Sequence, residues 1–449
     1  MFLCPKKCKF ATLSTIKTLI MKRKVYNELI EWKNSPNRKP LILSGARQVG
    51  KTWLMKELGK NEYKNYVYLN FDLDDRLENL FETDYNIDRI LLAIQAITGI
   101  KPEKGKTLII LDEIQQVKRG LGVLKYFCED APEYHIIVAG SLLGIALHPG
   151  TSFPVGKVNM INVYPLDFGE FLDAMGENTM KELVEKHDWE MMKILKNKYI
   201  ELIRQYYFIG GMPKVVADYV ANKDLKQARK TQKEIITAYR EDISKHAPKK
   251  DVVRINMVLD SIPSQLAKEN KKFIFGAMKK GARATEFELA IQWLIDCGIV
   301  YKISRVNAPK MPLKFYEDMS AFKLFLLDVG LMGCMSEVPA DQIIATDNAL
   351  VEYKGAFTEE YVMQQLASQQ DIFVYYWASE RSESELDFLI QKESQIIPVE
   401  VKAEVNLKSR SLYQFVSKHP ELSAIRFSMS DYIKQDWMEN RPLYSAWKV

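Results

Sequence analysis

Residues 41–58, LILSGARQVGKTWLMKEL, restrict the fold more than any other stretch of the chain. Leu41-Ile42-Leu43 is a short apolar run of the kind buried in parallel sheets. Gly45-Ala46-Arg47-Gln48-Val49-Gly50-Lys51-Thr52 then satisfies G-x-x-x-x-G-K-[ST], and a helical pattern follows from Trp53 to Leu58. Strand, glycine-bounded turn and helix N-terminus together curl backbone N–H groups around phosphate oxygens. Gly45 and Gly50 supply the backbone freedom for that curl. Lys51 is placed to reach the β- and γ-phosphates, and the Thr52 hydroxyl to ligate magnesium. A chance glycine-rich turn would lack the strand before it and the helix after it.

Two further apolar runs support this reading. Thr107–Leu111 (TLIIL) ends in Asp112-Glu113. In that position Asp112 holds magnesium through water and Glu113 polarises the attacking water as general base. Tyr134–Ala139 (YHIIVA) ends in Gly140-Ser141. Ser141 at a strand tip can sense the terminal phosphate or orient water, and can equally cap the helix that follows.

RKPLILSGARQVGKT, TLIILDEIQ and IIVAGSLLG, in this order and spacing, resemble the AAA+-type, signalling-ATPase-like family of bacteria and archaea. Its members carry a P-loop domain in front and a domain of uncharacterised function behind. VYPLDFGEFL (163–172) and FIGGMPKVV (208–216) also match, so the resemblance covers nearly everything from Met21 onward. It implies ATP and Mg2+ as cofactors and a Gly-x-Pro element against the adenine, which here is Gly211-Met212-Pro213. Arg204, Arg240, Arg254 and Arg283 are all available as an arginine finger, and nothing in the sequence selects one.

The remaining chain divides by pattern. Residues 1–20 read as an N-terminal extension, 21–175 as the P-loop core and 176–250 as a charged helical lid. A lid that closes over nucleotide converts hydrolysis into movement. Residues 251–340 suggest a winged-helix-like unit: Phe287, Ile291, Leu294 and Ile295 share a helical face, and the helix ends at Gly298 before the strand IVYKI. Lys268, Lys271, Lys272, Lys279, Lys280 and Arg283 give it a positive patch, which a solvated connector would show as well.

Residues 341–449 hold a second constellation. A helix from about Phe357 precedes the strands IFVYYWA, ELDFLIQ and IIPVEVKAE, then a helix at SLYQFVSK and a strand at AIRFSMS. Side chains alternate along a strand, so Glu400 and Lys402 share a face, and Asp387 joins them if its strand pairs with theirs. Two carboxylates and a lysine can hold a metal and activate water. The order α-β-β-β-α-β with D…ExK resembles the PD-(D/E)xK restriction-endonuclease-like fold. That resemblance implies Glu359, in preference to Glu360, as the supporting acid, with Leu386 where the family has proline. As an isolated tripeptide, Glu-Val-Lys is an ordinary amphipathic strand.

The expected fold class is therefore α/β: a parallel-sheet ATPase core, a helical lid, a winged-helix-like middle and a PD-(D/E)xK-like rear domain. The 449 residues, 47% hydrophobic and 27% charged, fit a multidomain globular chain. No apolar run is long enough to span a bilayer, so no membrane partner is expected. Five scattered cysteines point to a reducing, cytoplasmic setting without a disulfide framework. The net charge of +5 is concentrated at the front: residues 1–40 carry +8, leaving −3 for the rest. Bulk charge thus gives no case for nucleic acid, and DNA as a partner rests on local patches. The helix pattern beginning at Met21 suggests that translation can start there. Two functions remain open, an ATP-driven protein acting on DNA and a nucleotide switch whose rear domain binds a partner; a homo-oligomer fits either.

Overall fold

The protein is described by a computed structural model covering residues 21–81, 84–117, 119–140, 153–268, 271–344, 354–379, 384–403 and 409–449. The apolar runs become the middle of a parallel sheet. β1 (Leu41–Ser44), β3 (Thr107–Asp112) and β4 (His135–Ala139) are buried at every position. With β2 (Asn65–Asn70) and β5 (Asn159–Asn162) they form five strands in the order β2-β3-β4-β1-β5, each pair parallel. The two-residue period sends Leu108 and Ile110 into one apolar layer and Ile109 and Leu111 into the other. Helices α1 (Val25–Asn34), α2 (Lys51–Glu62), α3 (Ile87–Thr98) and α4 (Val123–Asp130) supply the cover that a parallel sheet needs.

The charged stretch after the core is helical, as its pattern predicts: α5 (Phe168–Ala174), α6 (Asn178–Glu185), α7 (Trp189–Ile194), α8 (Lys196–Ile209), α9 (Pro213–Asn222) and α10 (Leu225–His246). The next unit contains α11 (Val252–Leu266) and α12 (Ala284–Asp296). An antiparallel hairpin follows, β6 (Val300–Val306) with β7 (Glu317–Leu326). Phe287, Ile291 and Leu294 of α12 are buried, as their spacing requires, while Ile295 is only partly buried. The hairpin does not stand alone, however. Arg305 and Val306 pair in parallel with Tyr376 and Trp377 of β8 (Ile372–Ala378), so the middle unit contributes the end of the rear sheet.

After α13 (Val329–Met335) and α14 (Ala340–Ile344), the rear unit runs in the expected order. That order is α15 (Lys354–Ala367), β8, β9 (Glu385–Lys392), β10 (Gln395–Val401), α16 (Arg410–Lys418) and β11 (Ala424–Ser428). β12 (Ile433–Lys434) and β13 (Met438–Pro442) complete an eight-stranded mixed sheet, β12-β13-β11-β10-β9-β8-β6-β7. One apolar core runs without a break from Leu29 through α8 to Trp447. Tyr199 of α8 stacks on Tyr444 at 4.3 Å, and the Trp447 ring fills the space a side chain at Gly169 would take. Among the described residues no helix is long and apolar enough to cross a membrane.

Candidate functional site

The phosphate loop follows from the end of β1. Gly45 adopts φ +135, and a Cβ there would lie 2.2 Å from the Val163 carbonyl oxygen, so no larger residue fits. Gly50, at φ +97, opens α2 in a left-handed conformation. The Lys51 ammonium turns back and donates to the carbonyls of Gly45 and Ala46, both at 2.8 Å. Burial pulls its pKa down to about 8, against the opposing pull of Glu113 and Asp112. The Thr52 hydroxyl donates to Asp112 Oδ2 at 2.8 Å, and the Tyr68 hydroxyl donates to the same oxygen at 2.9 Å. Glu113 sits at φ +54, just beyond β3, and its carboxylate accepts from the Gln115 amide.

Lys51, Thr52, Asp112 and Glu113 thus converge at the ends of β1 and β3. Pro213 joins them from α9: its ring lies 3.6 Å from where a Gly50 Cβ would be. Its approach is fixed by the preceding glycines. Gly211 donates to Asp328 Oδ2 at 2.5 Å and accepts from Leu166 N–H at 2.7 Å. Ser141 lies outside the described residues.

Three residues of this site escape a reading by motif. Arg23 reaches across from before α1 and donates to the Val49 carbonyl at 3.0 Å, the Tyr164 carbonyl at 2.5 Å and Glu170 at 3.1 Å. Glu170 and Asp167 in turn form the capping box of α5, which gives VYPLDFGEFL a structural role. Gln115 holds Glu113 and packs against Gly140. Trp53 borders a cavity of about 430 Å3 shared with Met21, Arg23, Tyr26 and Asn61. Only the glutamine, beside the acidic pair, stands where local sequence could have drawn attention to it.

The rear cluster gathers around α15, a helix buried from Ala356 to Leu366. Glu359 and Glu400 are both buried, and each has one carboxylate oxygen without a hydrogen-bond partner. Burial, reinforced by the charge of Asp387, pushes the pKa of each up to about 7. Asp387 accepts from Val401 N–H at 2.7 Å, which ties β9 to β10 beside Glu400. Lys402 lies 2.6 Å from Glu400, on the shared face that strand alternation predicts.

Four cations stand among four carboxylates here, Glu359, Glu385, Asp387 and Glu400. Lys271 is partly buried against Glu359 instead of lying in the surface patch expected of it, and Lys323 is fully buried on Glu385. Lys402 holds Glu400, and Arg426 stands opposite Glu400 in the β10–β11 register. Among the described residues no three His, Cys, Asp or Glu side chains are grouped so as to hold a metal ion. Lys271 and Lys402 thus hold one oxygen each of Glu359 and Glu400, while Asp387 is held by the Val401 N–H.

The front site is that of a P-loop ATPase-type domain, and comparison with known proteins agrees. Residues 37–172 match the family described as AAA domain. Residues 200–342 and 354–444 match two domains of unknown function, DUF8612 and DUF4143. Among curated proteins, an NADH oxidase of Methanocaldococcus jannaschii is 29% identical over 150 residues, 33% of this chain and 31% of its own length. An uncharacterized protein of Haemophilus influenzae is 25% identical over 219 residues, 47% of each chain. The matches therefore span less than half of either relative. Among solved structures, the Walker-type ATPase PABY2304 of Pyrococcus abyssi overlays 71% of this chain and 96% of its own. Its TM-score is 0.45 and its identity 14%, too loose a fit to bear on the site.

Proposed function

We propose that the chain is a magnesium-dependent ATPase whose nucleotide state governs what its rear domain binds. The observation that carries this is the convergence of Lys51, Thr52, Asp112 and Glu113, with Thr52 and Asp112 joined at 2.8 Å. Thr52 and Asp112 would hold magnesium, which neutralises phosphate charge when bound. Lys51 leaves its loop carbonyls for the β/γ-phosphates, and the backbone from Gly45 to Gly50 cradles them. Glu113 takes a proton from the water that attacks the γ-phosphorus. Pro213, 3.6 Å from where a Gly50 Cβ would be, closes one side of the base. Phosphate release in Mg2+ and ATP is the test. Wild type should turn over, while Lys51→Ala should not; equal turnover in the two would sink the assignment.

For the rear domain, the balanced cluster favours partner binding over cutting. A second reading, nuclease-like processing of DNA through Asp387, Glu400, Glu359 and Lys402, draws on the α-β-β-β-α-β order and on the unpartnered oxygens of Glu359 and Glu400. The basic residues Lys268, Lys272, Lys279, Lys280 and Arg283 supply DNA-facing charge for either reading. Supercoiled plasmid with ATP and Mg2+ or Mn2+ separates them. Nicking that Asp387→Ala abolishes supports the nuclease. An uncut plasmid with DNA-stimulated, steeply salt-dependent ATPase activity supports binding alone.

A further inference from the structure

The loop residue Arg47 does not point idly into solvent. Its guanidinium forms an ion pair with Asp242 on α10, with the two side chains only 30% and 18% exposed. Its own carbonyl accepts from the Tyr239 hydroxyl, one turn earlier on α10, at 2.9 Å. The loop is thus fastened to one helix twice, through side chain and backbone.

The same neighbourhood holds the hydrolytic groups. The charge of Arg47 bears on Lys51, opposing that of Glu113 and Asp112, and the charge of Glu113 bears on Asp242. Arg47 and Lys51 are thus two cations within electrostatic reach of each other, and Glu113 lies within reach of the Asp242 that holds Arg47. Lys51 is occupied by its own loop carbonyls and Arg47 by Asp242. A triphosphate offers both a stronger partner, because guanidinium–phosphate pairs are bidentate and charge-assisted. Arg240 and Arg254, which the sequence left open as fingers, are engaged with Asp260 and Asp251.

The far half of α10 gives such an exchange somewhere to go. Arg229 donates to the Val338 carbonyl at 3.0 Å, just past α13. Gln232 donates to the carbonyls of Phe208 and Ile209 at 2.8 and 2.9 Å, at the end of α8. Twenty-two residues make a rod about 33 Å long, with the phosphate loop near one end and the approach to the rear domain near the other.

We propose that Arg47 is a terminal-phosphate-reading residue supplied in cis, and that its ion pair with Asp242 is its nucleotide-free parking place. Binding of ATP draws Arg47 from α10 onto the γ-phosphate and loosens that end of the helix. During turnover water attacks the γ-phosphorus, its proton passes to Glu113, and the bond to the β-phosphate oxygen breaks with the electron pair leaving on ADP. Arg47 stabilises the charge on the equatorial oxygens and returns to Asp242 once phosphate departs.

The inference rests on the ATPase reading, and one set of variants separates the two. Calorimetry with ADP and with the β,γ-imido analogue of ATP, alongside steady-state turnover, should compare wild type with Lys51→Ala, Arg47→Ala, Arg47→Lys and Asp242→Asn. Arg47→Ala should lose about 10³-fold in kcat with KM changed only a few-fold, the scale of an arginine finger. It should also lose the preference for the triphosphate analogue over ADP, and Arg47→Lys should recover part of both. Asp242→Asn should tighten the analogue several-fold, leave ADP unchanged, and raise amide exchange over residues 239–246 before nucleotide is added. Unchanged kcat and ligand preference in Arg47→Ala, or unchanged analogue affinity in Asp242→Asn, would overturn the inference. If Lys51→Ala also turned over normally, the ATPase reading itself would fall.

Discussion

At the scale of single residues, the front site has a pH signature. Lys51 has its pKa lowered to about 8 by burial, and an arriving triphosphate restores the charge. Below about pH 8 the ammonium is already present. Above it, binding must take up a proton, so ATP affinity should fall by up to tenfold per pH unit. Calorimetry in two buffers of different ionisation enthalpy would reveal that uptake; its absence at pH 9 would refute the lowered pKa. Glu113→Gln should bind ATP with near-normal affinity while turnover drops roughly 10²- to 10⁴-fold, measured as phosphate release. The residues behind these predictions could be read from a few adjacent letters, because loop and acidic pair are local patterns on two strands. Arg23 could not: its partner Glu170 is 147 positions away. Lys271 was equally hidden, reading as surface charge until the fold set it against Glu359, 88 positions on. Nothing in a charge run says which member will turn inward.

At the scale of elements, strand and helix order was largely legible, since period two and period 3.6 are written into the apolar spacing. The α-β-β-β-α-β succession of the rear unit emerged as expected. What the spacing could not supply was the joint between elements, and Asp328 shows why. It caps α13, accepts from Gly211 beside Pro213, and accepts from Gln364 of α15 at 3.2 Å, joining three segments that are distant in sequence. Full burial raises its pKa to about 6. A carboxyl raised on folding contributes stability that is complete below its unfolded value near 4 and is lost as pH rises through about 6. Between pH 4 and 7 that loss should be on the order of 3 kcal/mol. Asp328→Asn should be less stable at every pH, for want of a second acceptor oxygen, yet lack this slope. Denaturant unfolding at pH 4.5, 6 and 7.5, taken as the difference between the two proteins, checks it. Parallel slopes would show that Asp328 stays charged throughout.

For the whole molecule, the core shared by front and rear predicts that the two unfold together. Trp447 packs on Gly169 of α5, and Lys24 lies 4.2 Å from the centre of its ring. Arg23, one residue before Lys24, holds the carbonyl of Val49 in the phosphate loop. Trp447→Ala should therefore cost about 3–5 kcal/mol and weaken ATP binding as well. In thermal melts the wild type should show one transition, raised as a whole by ATP. Two separate transitions, only one of them moved by nucleotide, would contradict the shared core. The parallel pairing of β6 with β8 has a further consequence, for the order of synthesis. Arg305 leaves the ribosome 71 residues ahead of Tyr376, its neighbour in the sheet. Through that interval the β6–β7 hairpin has no β8 along its flank, and open flanks recruit strands from other chains. Translation pauses between residues 307 and 372 would lengthen this exposure, so the yield of native protein should depend on codon choice there more than elsewhere in the gene.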